Sequence, residues 1–198
     1  MKSLILALGS SEDDRLISRI LSNNLLQLLT QKSLNNSQRL TDSLELLLLI
    51  RDGIENKHLY SLINLVCKNP ELQEKAVEKI LEGLSRGHGM PGFVMVTWYL
   101  MGEFGQSVFH SRSSYFPEFL KLINKATNSS KSLSLLIISA LAKLWVKTEH
   151  GSSSGSPHFE SFKSASTRLF RSFTVNEDLE IQSRASQFLF ILQSPSLS

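Results

Sequence analysis

A single cysteine, Cys67, excludes an internal disulfide framework and any zinc site built from several thiolates. It follows Val66 and stands one turn after Ile63. Free cysteine behaves as a small apolar side chain, so the expectation is core packing in a reducing, cytosolic compartment. Net charge is also scarce, at +3 over 198 residues. The basic residues are scattered, with Lys75 and Lys79 set among Glu71, Glu74, Glu78 and Glu82. Such mixing marks a solvated helix face and gives no basis for a nucleic-acid partner. Long apolar runs are missing too. Residues 44–50, interrupted by Glu45, fall far below the roughly 20 needed to span a bilayer. The apolar opening at residues 4–8 turns acidic at Glu12, Asp13 and Asp14, unlike a signal peptide. A soluble chain is expected. Strand signals are absent as well: there is no sustained period-2 alternation and no Asn-Gly or Asp-Gly hairpin between β-rich runs.

What remains is helix. Hydrophobic residues make up 41% of the chain and charged residues 20%, enough apolar material for a core. In residues 71–84, Leu72, Ala76, Ile80 and Leu84 form one stripe, widened by Val77 and Leu81. Asn69 and Pro70 precede it as an N-cap and first-turn proline, and Gly83, Gly87 and Gly89 are expected to end it. Similar stripes predict helices over 57–68, 91–109, 115–126, 131–147, 158–173 and 178–192. Earlier helices are expected over 11–30 and 37–52, the first opened by a capping box at Ser11 and Asp14. Segments apolar on one wide face must bury it against one another. The pairs expected are 57–68 with 70–84, 91–109 with 115–126, and 131–147 with 158–173. Their starts lie about 34–40 residues apart, in the range of helical-hairpin repeats. The expected fold is all-α: an α-solenoid of antiparallel helix pairs of HEAT or armadillo type, one domain over 1–198, with a flexible Gly/Ser loop at 149–157.

The motifs of covalent chemistry do not assemble. Gly151-Ser152-Ser153-Ser154-Gly155 has the letters of a nucleophile elbow but no strand before it. The glycines at 83, 87, 89 and 92 lack the Gly-Lys-Ser/Thr step of a phosphate loop. His58, His88, His110, His150 and His158 lack the spacing of metal ligands, and most are expected in turns. The carboxylates at Asp13-Asp14 and at Glu177, Asp178 and Glu180 suit helix N-termini. No catalytic, cofactor-binding or metal-binding residue is assigned, and no enzyme is expected.

Two stretches carry a resemblance. Trp98-Tyr99-Leu100-Met101-Gly102-Glu103-Phe104-Gly105 is similar to the helix ending in Gly-Glu-Tyr-Gly in the large chains of clathrin adaptor complexes, the adaptins. Asp178-Leu179-Glu180-Ile181-Gln182-Ser183-Arg184-Ala185 resembles their Asp-x-Glu-Ile/Leu-Gln-Gln-Arg-Ala motif, with Ser183 in place of the second glutamine. Between them, residues 116–120 and 135–146 correspond to two trunk helices, and residues 59–82 to the pair preceding the first motif. The likeness spans about 57–193, is nearest the alpha- and gamma-type chains, and corresponds to the C-terminal part of the trunk.

In the first motif, Gly102 and Gly105 would let the helix close against a neighbour, while Trp98 and Phe104 supply apolar area. In the second, Ile181, Ala185 and Phe188 would face the core, and Glu180 and Arg184 form an i, i+4 pair. The resemblance implies a non-enzymatic subunit or fragment of a vesicle-coat adaptor complex, without cofactor. It would hold medium, small and beta-type large chains, reach clathrin indirectly, and sit peripherally on coated-vesicle, Golgi, endosomal or plasma membranes. The alternative is a general HEAT- or armadillo-type interaction scaffold unrelated to coated vesicles.

Overall fold

The computed structural model describes residues 35–49, 54–86, 91–109, 111, 113–150 and 156–193, with residues 20, 23–25 and 27 upstream. Among the described residues there is no strand, and the all-α class expected from the sequence holds. The helices are α1 (Asn36–Leu49), α2 (Asn56–Lys68), α3 (Pro70–Ser85), α4 (Pro91–Phe104), α5 (Phe116–Asn124), α6 (Lys131–Glu149), α7 (Pro157–Phe173) and α8 (Leu179–Gln193). Residues 20, 23–25 and 27 are helical; the remainder of the helix expected at 11–30, with its capping box at Ser11 and Asp14, lies outside the described residues. Two compact units share the chain, Met1–Thr97 and Trp98–Ser198, the division falling inside α4.

In the first unit the apolar stripes face one another as their spacing requires. Leu59, Leu62, Ile63 and Val66 of α2 are buried, as are Leu72, Ala76, Val77, Ile80 and Leu81 of α3. Leu40, Leu44 and Leu47 of α1 complete this core. Burying each of these larger side chains stabilises the fold by about 1.5–3 kcal/mol. Chain direction follows from the polar pairs. Asn36 Nδ2, at the start of α1, donates to Asn69 Oδ1 just past the end of α2 at 3.0 Å. These two helices are therefore antiparallel. Lys75, early in α3, donates to Ser37 early in α1. Gly83, late in α3, lies against Leu48 late in α1, so these two run parallel.

Three expectations change here. Gly83 does not end α3, which runs on to Ser85. Gly83 is buried inside it, and an added Cβ would sit 2.6 Å from Phe93 Cζ, so the glycine serves a close approach and not a stop. Gly87 and Gly89 lie outside the described residues. Asn69 precedes α3 but its side chain does not cap it; Nδ2 donates instead to the Leu65 carbonyl in the last turn of α2 at 2.6 Å. Cys67 is exposed, because the face of α2 that is covered centres on Leu62 and Val66, and Cys67 lies outside it.

The second unit is built around aromatic rings. Phe119 stacks on Phe162 at 6.1 Å, and Phe109 meets Phe159 and Phe162 edge-on at 5.7 and 5.2 Å. Phe116 lies beside His158 at 4.6 Å, and Asn124 beside Arg168, so α5 and α7 run parallel. Trp145 packs on Phe162 and Glu149 pairs with Lys163, which sets the last turns of α6 against the first half of α7. Lys131 and Asp178 join the starts of α6 and α8, which therefore run parallel. Within the units, then, α1 and α3, α5 and α7, and α6 and α8 run parallel, as alternate helices do in stacked helical hairpins. Partners in successive hairpins are 38, 40 and 44 residues apart at Ser37–Lys75, Glu103–Lys143 and Asn124–Arg168. These separations fall within the roughly 33–47 residues of helical-repeat units.

The helix expected over 91–109 is split. α4 ends at Phe104, and Gly105–Phe109 tighten into a 3-10 segment. Glycine is a poor helix former, and a tighter last turn is common at helix ends. The tightening aims Val108 and Phe109 into the core, where both are buried. Of the loop expected at 149–157, Glu149 ends α6 and Ser156 caps α7, its Oγ accepting from the Phe159 N–H at 3.1 Å. Residues 151–155 lie outside the described residues.

Candidate functional site

Both motifs that carry the family resemblance close on one helix, α6. Gly102 of α4 meets the α6 backbone: an added Cβ would lie 2.7 Å from Ala140 Cα and 3.1 Å from its carbonyl oxygen. Beside it, the Glu103 carboxylate takes two lysines of α6. Oε1 pairs with Lys143, and Oε2 pairs with Lys147 at 2.9 Å. Lys147 Nζ also donates to the Glu103 backbone carbonyl at 2.8 Å, satisfying an acceptor that the ending helix leaves open. Lys143 lies over the Tyr99 ring at 5.9 Å.

The second motif grips the other end. Asp178 is the N-cap of α8, its Oδ1 accepting from the N–H groups of Glu180 at 3.0 Å and Ile181 at 3.3 Å. Its Oδ2 pairs with Lys131 at the start of α6 at 2.8 Å, and Lys131 reaches Glu180 at 3.5 Å. Glu180 in turn accepts from Arg184 at 2.9 Å, the i, i+4 pair expected from the sequence. Lys131 beside Asp178, helped by the two backbone N–H groups, holds that carboxyl below its ordinary range. Ile181 and Ala185 are buried as expected, while Phe188 and Phe104 are only half-buried. The lysine partners of both acidic residues were not legible as partners, because each pair joins residues more than thirty positions apart.

Burial pushes the Glu103 carboxyl up, but Lys143 and Lys147 outweigh it and hold the group below the ordinary glutamate range. A depressed carboxyl stabilises the fold above the unfolded-state value and loses that contribution as pH falls through the folded one. Glu103→Gln is therefore expected to cost about 0.5–1 kcal/mol at neutral pH, since both lysines are partly solvated. Urea unfolding of the two proteins should converge as pH drops below the ordinary glutamate range. A gap unchanged across that range would contradict the ion-pair account.

The histidines do not form a site. His58 is buried in α2, within the helix expected over 57–68, and its Nε2 has no hydrogen-bond partner among the described residues. Burial, then Lys57, pushes its imidazole below the usual range. His150 follows the end of α6 and the His158 ring lies tilted beside Phe116; His88 and His110 lie outside the described residues. Among the described residues, no group of three or more histidine, cysteine or acidic side chains is placed to hold a metal ion. No helix among them is long and apolar enough to cross a membrane.

The family model for the adaptin N-terminal region matches residues 4–196, extending the likeness well upstream of residue 57. Among curated proteins, the AP-1 complex subunit gamma-1 of Mycosarcoma maydis is 24% identical over 162 residues. That alignment covers 76% of this chain and 18% of the relative, so the chain spans less than a fifth of it. No solved structure matches the chain. With nearly all its residues matched by the family model, and both motifs gripping α6 as parts of one helical stack, the chain is a member of the adaptin family.

Proposed function

We propose that the chain is a non-enzymatic large-chain subunit, or part of one, of a vesicle-coat adaptor complex. The observation that carries this reading is the family match over residues 4–196. A relative named as a gamma subunit of the AP-1 complex supports it, as does the likeness of both motifs to the alpha- and gamma-type chains. In this reading residues 1–198 form one helical-repeat domain equivalent to the C-terminal part of an adaptin trunk. The gripping of α6 from both ends by Glu103 and Asp178 would stiffen that domain so that its surface keeps one shape for a partner. The partners would be medium, small and beta-type large chains, with clathrin reached indirectly. The chain would sit at the cytoplasmic face of Golgi, endosomal or plasma membranes, held there through the complex. Family membership favours this over a helical-repeat scaffold unrelated to coated vesicles.

Affinity purification of the tagged chain from its own cells, followed by mass spectrometry, tests the proposal. Medium, small and beta-type adaptor chains are the expected companions. An intact, folded preparation that repeatedly carries none of them would remove the coat assignment.

A further inference from the structure

The solvent side of α7 forms a shallow groove of about 480 Å³ along Lys163, Ser164, Thr167, Arg168 and Arg171, with Glu160 at one end. An adjoining hollow of about 390 Å³ reaches across to Leu120 and Asn124 of α5. The cations in this groove are in two different states. Lys163 is engaged at 3.4 Å by both Glu149 and Glu160, and its ammonium rests 4.7 Å from the Phe159 ring centroid. Arg168 is instead oriented by a neutral group, Nη2 donating to Asn124 Oδ1 at 2.7 Å. Among the described residues, neither Arg168 nor Arg171 has a carboxylate within ion-pair distance. The hydroxyls of Ser164 and Thr167 likewise have no hydrogen-bond partner there. Yet Ser161 and Ser172 of the same helix, and Thr174 just past it, each donate to a backbone carbonyl.

We propose that this groove docks an acidic segment of a partner protein, its carboxylates pairing with Arg168 and Arg171 and accepting from Ser164 and Thr167. The two arginines are three residues apart on a helix, about 4.5 Å of rise, which suits neighbouring carboxylates taken one by each guanidinium. Holding Arg168 over the seam with Asn124 removes part of the ordering cost of binding. Glu160 and the Lys163 it engages give the groove a direction: the acidic residues lie toward Arg171, and the end near Glu160 takes neutral or basic ones. Two unneutralised cations are too few for a nucleic-acid backbone, where roughly 6–10 phosphate contacts are usual for tight binders. They are also fewer than the clusters of about 4–8 basic residues that hold a protein to an anionic leaflet. Leu120 and Ala165 at the margin give a peptide side chain an apolar rest, which a headgroup does not use.

The inference rests on the reading that the chain works by binding proteins, but its test is separate from recovery of adaptor subunits. Fluorescence anisotropy would follow the purified chain against a short fluorescein-labelled peptide of alternating glutamate and serine, with a glutamine–serine peptide as control. Saturable binding of the acidic peptide is expected, weakening as salt is raised. Arg168→Glu combined with Arg171→Glu should weaken it by about tenfold or more, and Glu160→Gln should strengthen it. Because these side chains are exposed, the unfolding midpoint should hardly move. If the double reversal disturbs folding, Arg168→Gln with Arg171→Gln keeps the comparison. Acidic and control peptides binding alike, or binding indifferent to the arginine variants, would overturn the proposal. Binding of phosphatidylserine vesicles through these arginines without binding of the peptide would overturn it as well, and name a lipid as occupant. None of these outcomes bears on whether adaptor subunits co-purify.

Discussion

Trp98→Ala is expected to cost about 3–5 kcal/mol of folding stability, the range for deleting a fully buried large aromatic side chain. Trp98 is 1% exposed. Its ring centre lies 6.2 Å from Phe119, which stacks on Phe162, itself in contact with Phe109, Phe159 and Trp145. Truncation removes one end of a continuous chain of rings. The neighbours are side chains from several helices and cannot all move in to fill the hole, so a cavity term adds to the lost transfer free energy. Phe188 provides the contrast. It occupies a motif helix and was expected to face the core, but it is half-buried, and Phe188→Ala should cost about 1–2 kcal/mol. Urea denaturation followed by far-UV circular dichroism would rank them. Equal small losses at both positions would show that the ring chain does not hold this unit together.

The second large effect concerns a residue with no side chain. Gly102→Ala is expected to destabilise by about 1–3 kcal/mol, although alanine in a helix is ordinarily worth about 1 kcal/mol more than glycine. The new Cβ would lie 2.7 Å from Ala140 Cα and 2.9 Å from its Cβ. Backbone cannot escape by changing rotamer, so α4 and α6 would have to separate. That separation would also lengthen the Glu103 pairs with Lys143 and Lys147, which start one residue away. Gly92→Ala is the control. Its Cβ would meet the Cδ1 of Ile54 at 2.8 Å, the mobile end of a flexible side chain, and near-neutral or slightly favourable behaviour is expected. Thermal melts of the two alanine variants should therefore move in different degree and, at best, in opposite directions. A Gly102→Ala protein as stable as Gly92→Ala would contradict the close approach.

Helix class and helix faces were legible from spacing alone. The stripe at Leu72, Ala76, Val77, Ile80 and Leu81 is buried where the 3.6-residue period puts it, with Leu84 at its end only half-buried, and Leu59, Leu62, Ile63 and Val66 are buried likewise. Period states which residues share a face, however, and not how far a neighbour extends over it. Cys67 and Phe188 show the difference: Cys67 adjoins the stripe of α2 and is exposed, Phe188 shares a face with Ile181 and Ala185 and is half-buried, and in both cases coverage depends on the adjacent helix. Glycine was ambiguous in the same way. Gly83 reads locally as a helix stop, yet Phe93 and Leu48 close over it and α3 continues to Ser85.

The two motifs were recognisable as words before their physical meaning was available. An acidic residue at position 103 or 178 is locally an ordinary helix-end carboxylate. Its lysine partners lie 40 and more positions away, and nothing in either stretch points to them. The same holds for the α7 groove, whose arginines look like scattered surface charge until α5 brings Asn124 beside Arg168. By itself, then, the sequence determined the helical class, the register of most buried faces and, through two short motifs, the family. Those depend on local periodicity and on residue identity, which are written in consecutive positions. Tertiary structure alone decided that α6 is the helix both motifs hold, which glycine permits a close crossing, and which arginines lack a counter-charge. Each of these depends on which distant segments become neighbours, and burial, ion pairing and backbone approach are properties of neighbours in space.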